Sequence, residues 1–190
     1  RIIVKGGTYN EDVVVREGLS IYGGYSDNGI RDIDVYKTTI NGAIIADNIE
    51  AATEIDGFTV GSSEEGAAIR LSDTSSGLVI ANNTILVDGA AGVGISAVNS
   101  YAVIRDNNFD GVWETSSGDT SAVSYAISET SSMQTIEGNV FDLAYQNAAA
   151  VLSISSSSVV RNNSFIMRSL YPDAVVLDLV AGQDIAVIDN

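Results

Sequence analysis

The chain has 190 residues, 45% of them apolar, with 18 Gly, one Pro and neither Cys nor His, and nine basic residues stand against 25 acidic ones for a net charge of −16. The missing Cys and His exclude disulfides, thiol chemistry, imidazole bases and Cys- or His-ligated metals. No basic stripe exists to hold nucleic acid or anionic lipid, and no apolar run approaches a membrane span, so neither nucleic-acid binding nor membrane insertion by this segment is expected.

The apolar runs are short, rich in Val and Ile, and punctuated by Gly, Ser, Asn and Asp, which predicts many short strands and no long helices. In chain order, the amino-terminal third (1–60) carries Gly6-Gly-Thr-Tyr9-Asn-Glu11, then Val13-Val-Val15, Gly18-Leu-Ser-Ile21-Tyr-Gly-Gly24-Tyr and Thr38-Thr-Ile-Asn-Gly42. Tyr9, Tyr22 and Tyr25 are expected to pack, as are Asp32 and Asp34 in the loop between the third and fourth of these groups. Ile55-Asp-Gly57-Phe58 reads as a shortened corner in which Gly replaces an Asn turn.

From residue 61 onward two phrases alternate. One is an aliphatic residue, two variable positions, Asn, one position and an apolar residue: Ile80-Ala-Asn-Asn83-Thr-Ile85, Ile104-Arg-Asp-Asn107-Asn-Phe109, Ile136-Glu-Gly-Asn139-Val-Phe141 and Val160-Arg-Asn-Asn163-Ser-Phe165. A fifth copy reads as starting at Ile188-Asp-Asn190, giving leader spacings of 24, 32, 24 and 28 residues. Between them lie strand phrases of alternating inward and outward residues: Gly66-Ala-Ala-Ile69-Arg-Leu71, Gly92-Val-Gly-Ile95-Ser-Ala97, Ala122-Val-Ser-Tyr125-Ala-Ile127, Ala148-Ala-Ala-Val151-Leu-Ser153 and Ala174-Val-Val-Leu177-Asp-Leu179. A fixed phrase at unequal spacing is the mark of a solenoid, because insertions enter loops while stacked positions keep register. Roughly 25 residues per turn, stacked about 4.8 Å apart, predicts an all-β parallel β-helix of about seven coils.

These phrases and the amino-terminal glycine corners resemble the right-handed parallel β-helix, pectin lyase-like superfamily, which includes pectate lyases and many secreted or surface proteins of bacteria and archaea. The resemblance spans nearly the whole chain and implies a right-handed coil in a single β-helix segment of a longer, extracellular or cell-surface protein. It is unspecific for activity, since the fold carries lyases, hydrolases, adhesins and spacers. The hydrolases of the superfamily use clustered Asp with a His and an Arg-x-Lys element, both missing here; its lyases use calcium held by Asp and Glu, with an Arg as base.

Stacking makes specific demands. Asn83, Asn107, Asn139 and Asn163 should form an inward amide ladder, with Phe109, Phe141 and Phe165 stacked in the core and Ile85 in the coil before. The sequons Asn82-Asn-Thr84 and Asn162-Asn-Ser164 follow from the corner's demand for Asn rather than from glycosylation. The outward position after each leader reads Ala81, Arg105, Glu137, Arg161, Asp189, so that charge alternates down the stack.

Two carboxylates, Asp110 and Asp142, share one outward position in consecutive coils, with Trp113 and Tyr145 beside them and Tyr171 two places further on. Side chains one coil apart lie about 5 Å from each other, close enough to attract calcium and matching the spacing of a retaining glycosidase. The aromatic rings beside them suit stacking on sugars. Against that, Asp commonly ends a strand, and Trp113 and Tyr145 can simply cover an apolar flank. Glu64-Glu65 reads as solvated surface. The expectation is a rigid spacer, adhesin or glycan-contacting scaffold without catalysis, needing no cofactor beyond an optional calcium ion. A polysaccharide lyase or glycoside hydrolase built on Asp110 and Asp142 is the enzymatic alternative. Head-to-tail self-association into an extracellular filament is the third, because uncapped coil ends expose strand edges.

Overall fold

A computed structural model describes residues 1–61, 66–87, 92–112, 124–144, 148–168, 175–180 and 185–190. The chain winds as a parallel β-helix with three walls of eight, seven and seven strands, and within each wall successive coils are neighbours. Wall A contains Ile2–Lys5, Ile21–Tyr25, Thr53–Asp56, Leu78–Ala81, Ala102–Arg105, Thr135–Glu137, Val159–Arg161 and Ala186–Ile188. Wall B contains Gly7–Tyr9, Thr38–Asn41, Phe58–Gly61, Thr84–Leu86, Asn108–Val112, Val140–Ala144 and Ser164–Met167. Wall C contains Val13–Val14, Ile44–Asp47, Ala67–Ser72, Val93–Val98, Ser124–Thr130, Ala148–Ile154 and Val175–Val180. Paired strands in all three walls run parallel.

Aliphatic columns fill the interior. Ile55, Ile80, Ile104 and Ile136 stack in wall A, and Ile69, Ile95, Ile127 and Val151 in wall C, all at 0% exposure. In wall B, Ile85 lies over Phe109. The rings of Phe109 and Phe141 stack at 4.7 Å and 7°, and those of Phe141 and Phe165 at 4.9 Å and 9°. Each such pair adds roughly 0.5–1.5 kcal/mol to the burial of its apolar area.

The corner between walls A and B is where the sequence phrase has its cause. Its first residue has positive φ in every coil from Gly57 (80°) through Asn82 (54°), Asp106 (55°), Gly138 (66°), Asn162 (53°) and Asp189 (48°), a conformation that Gly, Asn and Asp tolerate best. The next residue is Asn from the second of these corners onward, buried at Asn83, Asn107, Asn139 and Asn163 and exposed at Asn190. Oδ1 of Asn107 accepts the backbone N–H and the side-chain amide of Asn83, both at 3.0 Å, and the same pair of bonds joins Asn107 to Asn139, Asn139 to Asn163 and Asn163 to Asn190. Each amide also donates to the leader carbonyl one coil back: Asn83 to Ile55, Asn107 to Ile80, Asn139 to Ile104, Asn163 to Ile136 and Asn190 to Val160. The predicted amide ladder is therefore present and continues to Asn190.

Four details differ from the sequence reading. Val187, not Ile188, stacks on Val160, because Asn190 itself occupies the ladder; Ile188 rather than Asp189 then follows Arg161 in the outer column. Ile55-Asp-Gly57-Phe58 is not shortened: Gly57 takes the positive-φ place and Phe58 the Asn place, its N–H bound by Oδ1 of Asn83, while Val60 stacks on Ile85. Tyr125 aligns with Val93, and Ile127 occupies the Ile95 position, two residues from the predicted register. Strict alternation in wall C also fails, since Ala68 and Ile69, Gly94 and Ile95, Ala126 and Ile127, and Ala150 and Val151 are all buried in succession. The strand bends there so that two consecutive residues face the core.

The corner between walls C and A repeats a second device. Asn48, Asp73, Asn99, Ser131 and Ser155 have φ between 49° and 53°, and each is followed by a buried residue, Ile49, Thr74, Ser100, Ser132 and Ser156. Ser132 Oγ accepts the N–H of Ser100, and Ser156 Oγ that of Ser132, both at 3.1 Å. Connections at this corner hold three to six residues, and those from A to B only one or two after Thr53, whereas from Phe58 onward the links from B to C range from three to eleven.

Candidate contact face

Phe109 and Phe141 point inward, which turns their neighbours Asp110 and Asp142 outward on wall B in adjacent, aligned positions. The predicted pairing is present in the backbone register. The column continues to Leu86 on one side and Ile166 on the other, so the two acids sit between apolar neighbours. Arg168, from the next coil, forms an ion pair with Asp142. That cation offsets one of the two charges, which weakens the pull on a divalent ion needing six or more oxygen ligands. Among the described residues, no group of three or more acidic side chains is placed to hold a metal. Trp113, Tyr145 and Tyr171, the rings assigned to sugar stacking, lie outside the described residues, as does Glu64-Glu65.

The outer column of wall A has the predicted register, Ala81 to Arg105 to Glu137 to Arg161. Arg161 Nε donates to Glu137 Oε2 at 2.7 Å. Arg105 makes a different choice, reaching Glu54 two coils back at 3.3 Å and Asp106 at 2.9 Å. One coil back, Arg105 meets only Ala81, which offers its guanidinium no charge. Glu54 Oε2 also accepts the Tyr22 hydroxyl at 2.7 Å. That hydrogen bond, and secondarily burial, pushes the Tyr22 phenol above its ordinary range.

A cluster that periodicity does not announce lies beside this column. The segment 26–37 folds back over wall A, and its Arg31 donates from Nε to the Gly23 carbonyl at 3.0 Å and forms an ion pair with Asp56. The guanidinium carbon lies 5.6 Å from the Tyr22 ring centre and 5.7 Å from that of Tyr25. Asp56 is nearly buried, and its second oxygen accepts the Asn82 amide at 2.8 Å. Gly57 is required beneath: a Cβ there would come within 2.5 Å of Arg31 Nη2 and 2.8 Å of Ile33 Cγ2. Arg31, Asp32, Ile33, Asp56 and Asn82 line a shallow concavity of about 340 Å³. Asp32 itself caps the loop, its Oδ1 accepting the N–H groups of Asp34 and Val35 at 3.1 Å. Tyr22 and Tyr25 thus pack as expected, on a cation.

Compared with known proteins, the chain matches no family model and no curated protein sequence.

Proposed function

We propose that this chain is a non-catalytic scaffold at the cell surface or outside the cell, acting as a rigid spacer or adhesin element whose outer walls contact glycans or other surface proteins. Its place in the right-handed, pectin lyase-like superfamily belongs to the same proposal and rests on the corner phrases. The observation that carries the reading is the unbroken amide file from Asn83 to Asn190, which ties five consecutive coils through hydrogen bonds that are buried up to Asn163 and part-buried at Asn190. Such a column resists bending and shear, and eight stacked strands give a rod about 34 Å long.

The outer cations support a scaffold over a lyase. A lyase base must be free to take a proton from the sugar. Six of the nine basic residues, Lys5, Arg31, Arg70, Arg105, Arg161 and Arg168, are engaged with carboxylates. The Asp110 and Asp142 pair, with Arg168 already engaged by Asp142, is better matched to accepting hydrogen bonds from glycan hydroxyls than to acid–base work.

The decisive experiment incubates the protein with acidic and neutral polysaccharides, with and without calcium, and follows chain length. Unchanged chains, with retention of at least one polysaccharide on immobilised protein, are expected. Cleavage that disappears in Asp110→Asn would overturn the scaffold reading and install the lyase or hydrolase in its place.

A further inference from the structure

Segment 26–37 does more than cover wall A. It is pinned to the strand before it, the Asp32 N–H donating to the Gly24 carbonyl at 2.8 Å and Arg31 bridging Tyr25 in the antiparallel sense. The segment thus contributes Arg31, Asp32 and Ile33 to the concavity, and two consecutive later coils contribute Asp56 and Asn82. The polar groups are already ordered. Gly23, Asp56 and the rings of Tyr22 and Tyr25 hold the guanidinium, and Asp56 also holds the Asn82 amide. A site fixed in this way loses little conformational freedom when a ligand arrives.

Each of three side chains still has an atom to offer. Among the described residues, Arg31 Nη1, Asn82 Oδ1 and Asp32 Oδ2 have no protein partner, and the Arg31 side chain is 32% exposed. One donor and two acceptors therefore converge beside the aliphatic Ile33. That mixture suits neighbouring hydroxyls on the edge of a sugar ring and the C–H groups of its face. A volume of about 340 Å³ lies at the lower end of the range for small-molecule sites, roughly 300–1,000 Å³, and limits the occupant to about one ring.

Charge narrows the class further. The lining sets two carboxylates against one guanidinium, and the chain as a whole carries −16, so an acidic sugar meets repulsion. A divalent cation is disfavoured as well, because it needs six or more oxygens and both oxygens of Asp56 are taken by Arg31 and Asn82.

We propose that this concavity is a subsite for a single uncharged sugar ring, with Arg31 donating to hydroxyls, Asn82 and Asp32 accepting from them, and Ile33 lying against the ring face. The inference rests on the glycan-contact reading and gives it a second location, on the amino-terminal coils and away from the Asp110 and Asp142 pair of wall B.

The test is an NMR titration of the wild-type protein with the methyl glycosides of glucose, galactose and mannose, and with methyl galacturonide as the acidic counterpart. At least one neutral glycoside should shift the Arg31 Nε–H and Asn82 amide signals, and the galacturonide should bind more weakly. Asn82→Gly should weaken the neutral glycoside about tenfold, the worth of one hydrogen bond. Glycine suits that corner, since Gly57 and Gly138 hold the same place at φ of 80° and 66°; should the variant not fold, the wild-type titration decides. Unmoved signals with every neutral glycoside, binding of the galacturonide as tight as theirs, or unchanged affinity in a folded Asn82→Gly would each overturn the proposal. Retention of polysaccharide on immobilised protein separates this failure from that of the wider reading. Unmoved signals with a polysaccharide still retained remove the subsite alone, whereas no retention of any polysaccharide removes glycan contact altogether.

Discussion

The two repeating corners solve the same problem with different chemistry. Both follow a positive-φ residue with a buried polar side chain that satisfies the backbone of the preceding coil. At the A-to-B corner the side chain is an amide, with acceptor and donor on one group. Asn107 accepts two N–H bonds from Asn83 and donates to Asn139, so each member is bound to the next. At the C-to-A corner a hydroxyl has one proton to give. Ser132 accepts from Ser100 but returns its own hydrogen to carbonyls, Thr130 in its own turn at 2.9 Å and Ala97 one coil back at 3.2 Å. The amide column is linked side chain to side chain, whereas the hydroxyl column is linked only through the backbone. Phe58 and Thr74 show the same contrast at the early end: the amide file stops where Phe58 offers only its N–H, while hydroxyls and Ile49 interchange in the other corner.

This contrast is breakable by substitution. Asn139→Ala should have the largest effect, about 3 kcal/mol, because it strips the acceptor from Asn107 and a donor from both Ile104 and Asn163. Chemical denaturation would reveal it as a lower midpoint, and a midpoint equal to wild type would mean the column is not a linked unit. Ser132→Ala should cost about 1 kcal/mol, since one N–H, that of Ser100, loses its partner. A loss equal to that of Asn139→Ala would erase the distinction between the corners. Smallest is Glu137→Lys, which places three cations in register at positions 105, 137 and 161 on the outside of the A-to-B corner. Its penalty should stay near or below 1 kcal/mol and shrink in high salt. Thermal melts at low and high ionic strength would show this, and a salt-independent penalty would point to packing rather than charge.

The parts of the fold that repeat were readable, and the parts that occur once were not. Asn83, Asn107, Asn139 and Asn163 could be aligned from sequence because corner geometry admits few residue types, and the Phe column followed from that register. Two slips came from choosing an apolar landmark over the polar one. Taking Ile188 as leader ignored that Asn190 must be the fourth residue of its phrase, and aligning Tyr125 with Ile95 displaced its strand by two. The second slip hid Glu129, which correct register places directly on Ala97 in the core. Arg31 had no periodic signal at all, since segment 26–37 has no counterpart in later coils; only the glycines at 23, 24 and 57 hinted that something lies close above them. On wall B, the Asp110 and Asp142 alignment was legible, but the engagement of Asp142 by Arg168 was not, because Arg168 has no partner in the repeated phrases.

The uneven loop lengths have a practical meaning. From Phe58 onward the chain varies most in length where wall B hands over to wall C, and both polar columns lie at the other two corners. Extra sequence grafted at that seam would extend from one long edge of the rod, at intervals of about 4.8 Å, without interrupting either column. The molecule is thus organised as a rail with a single row of mounting points, and new recognition loops can be exchanged there while the winding stays intact.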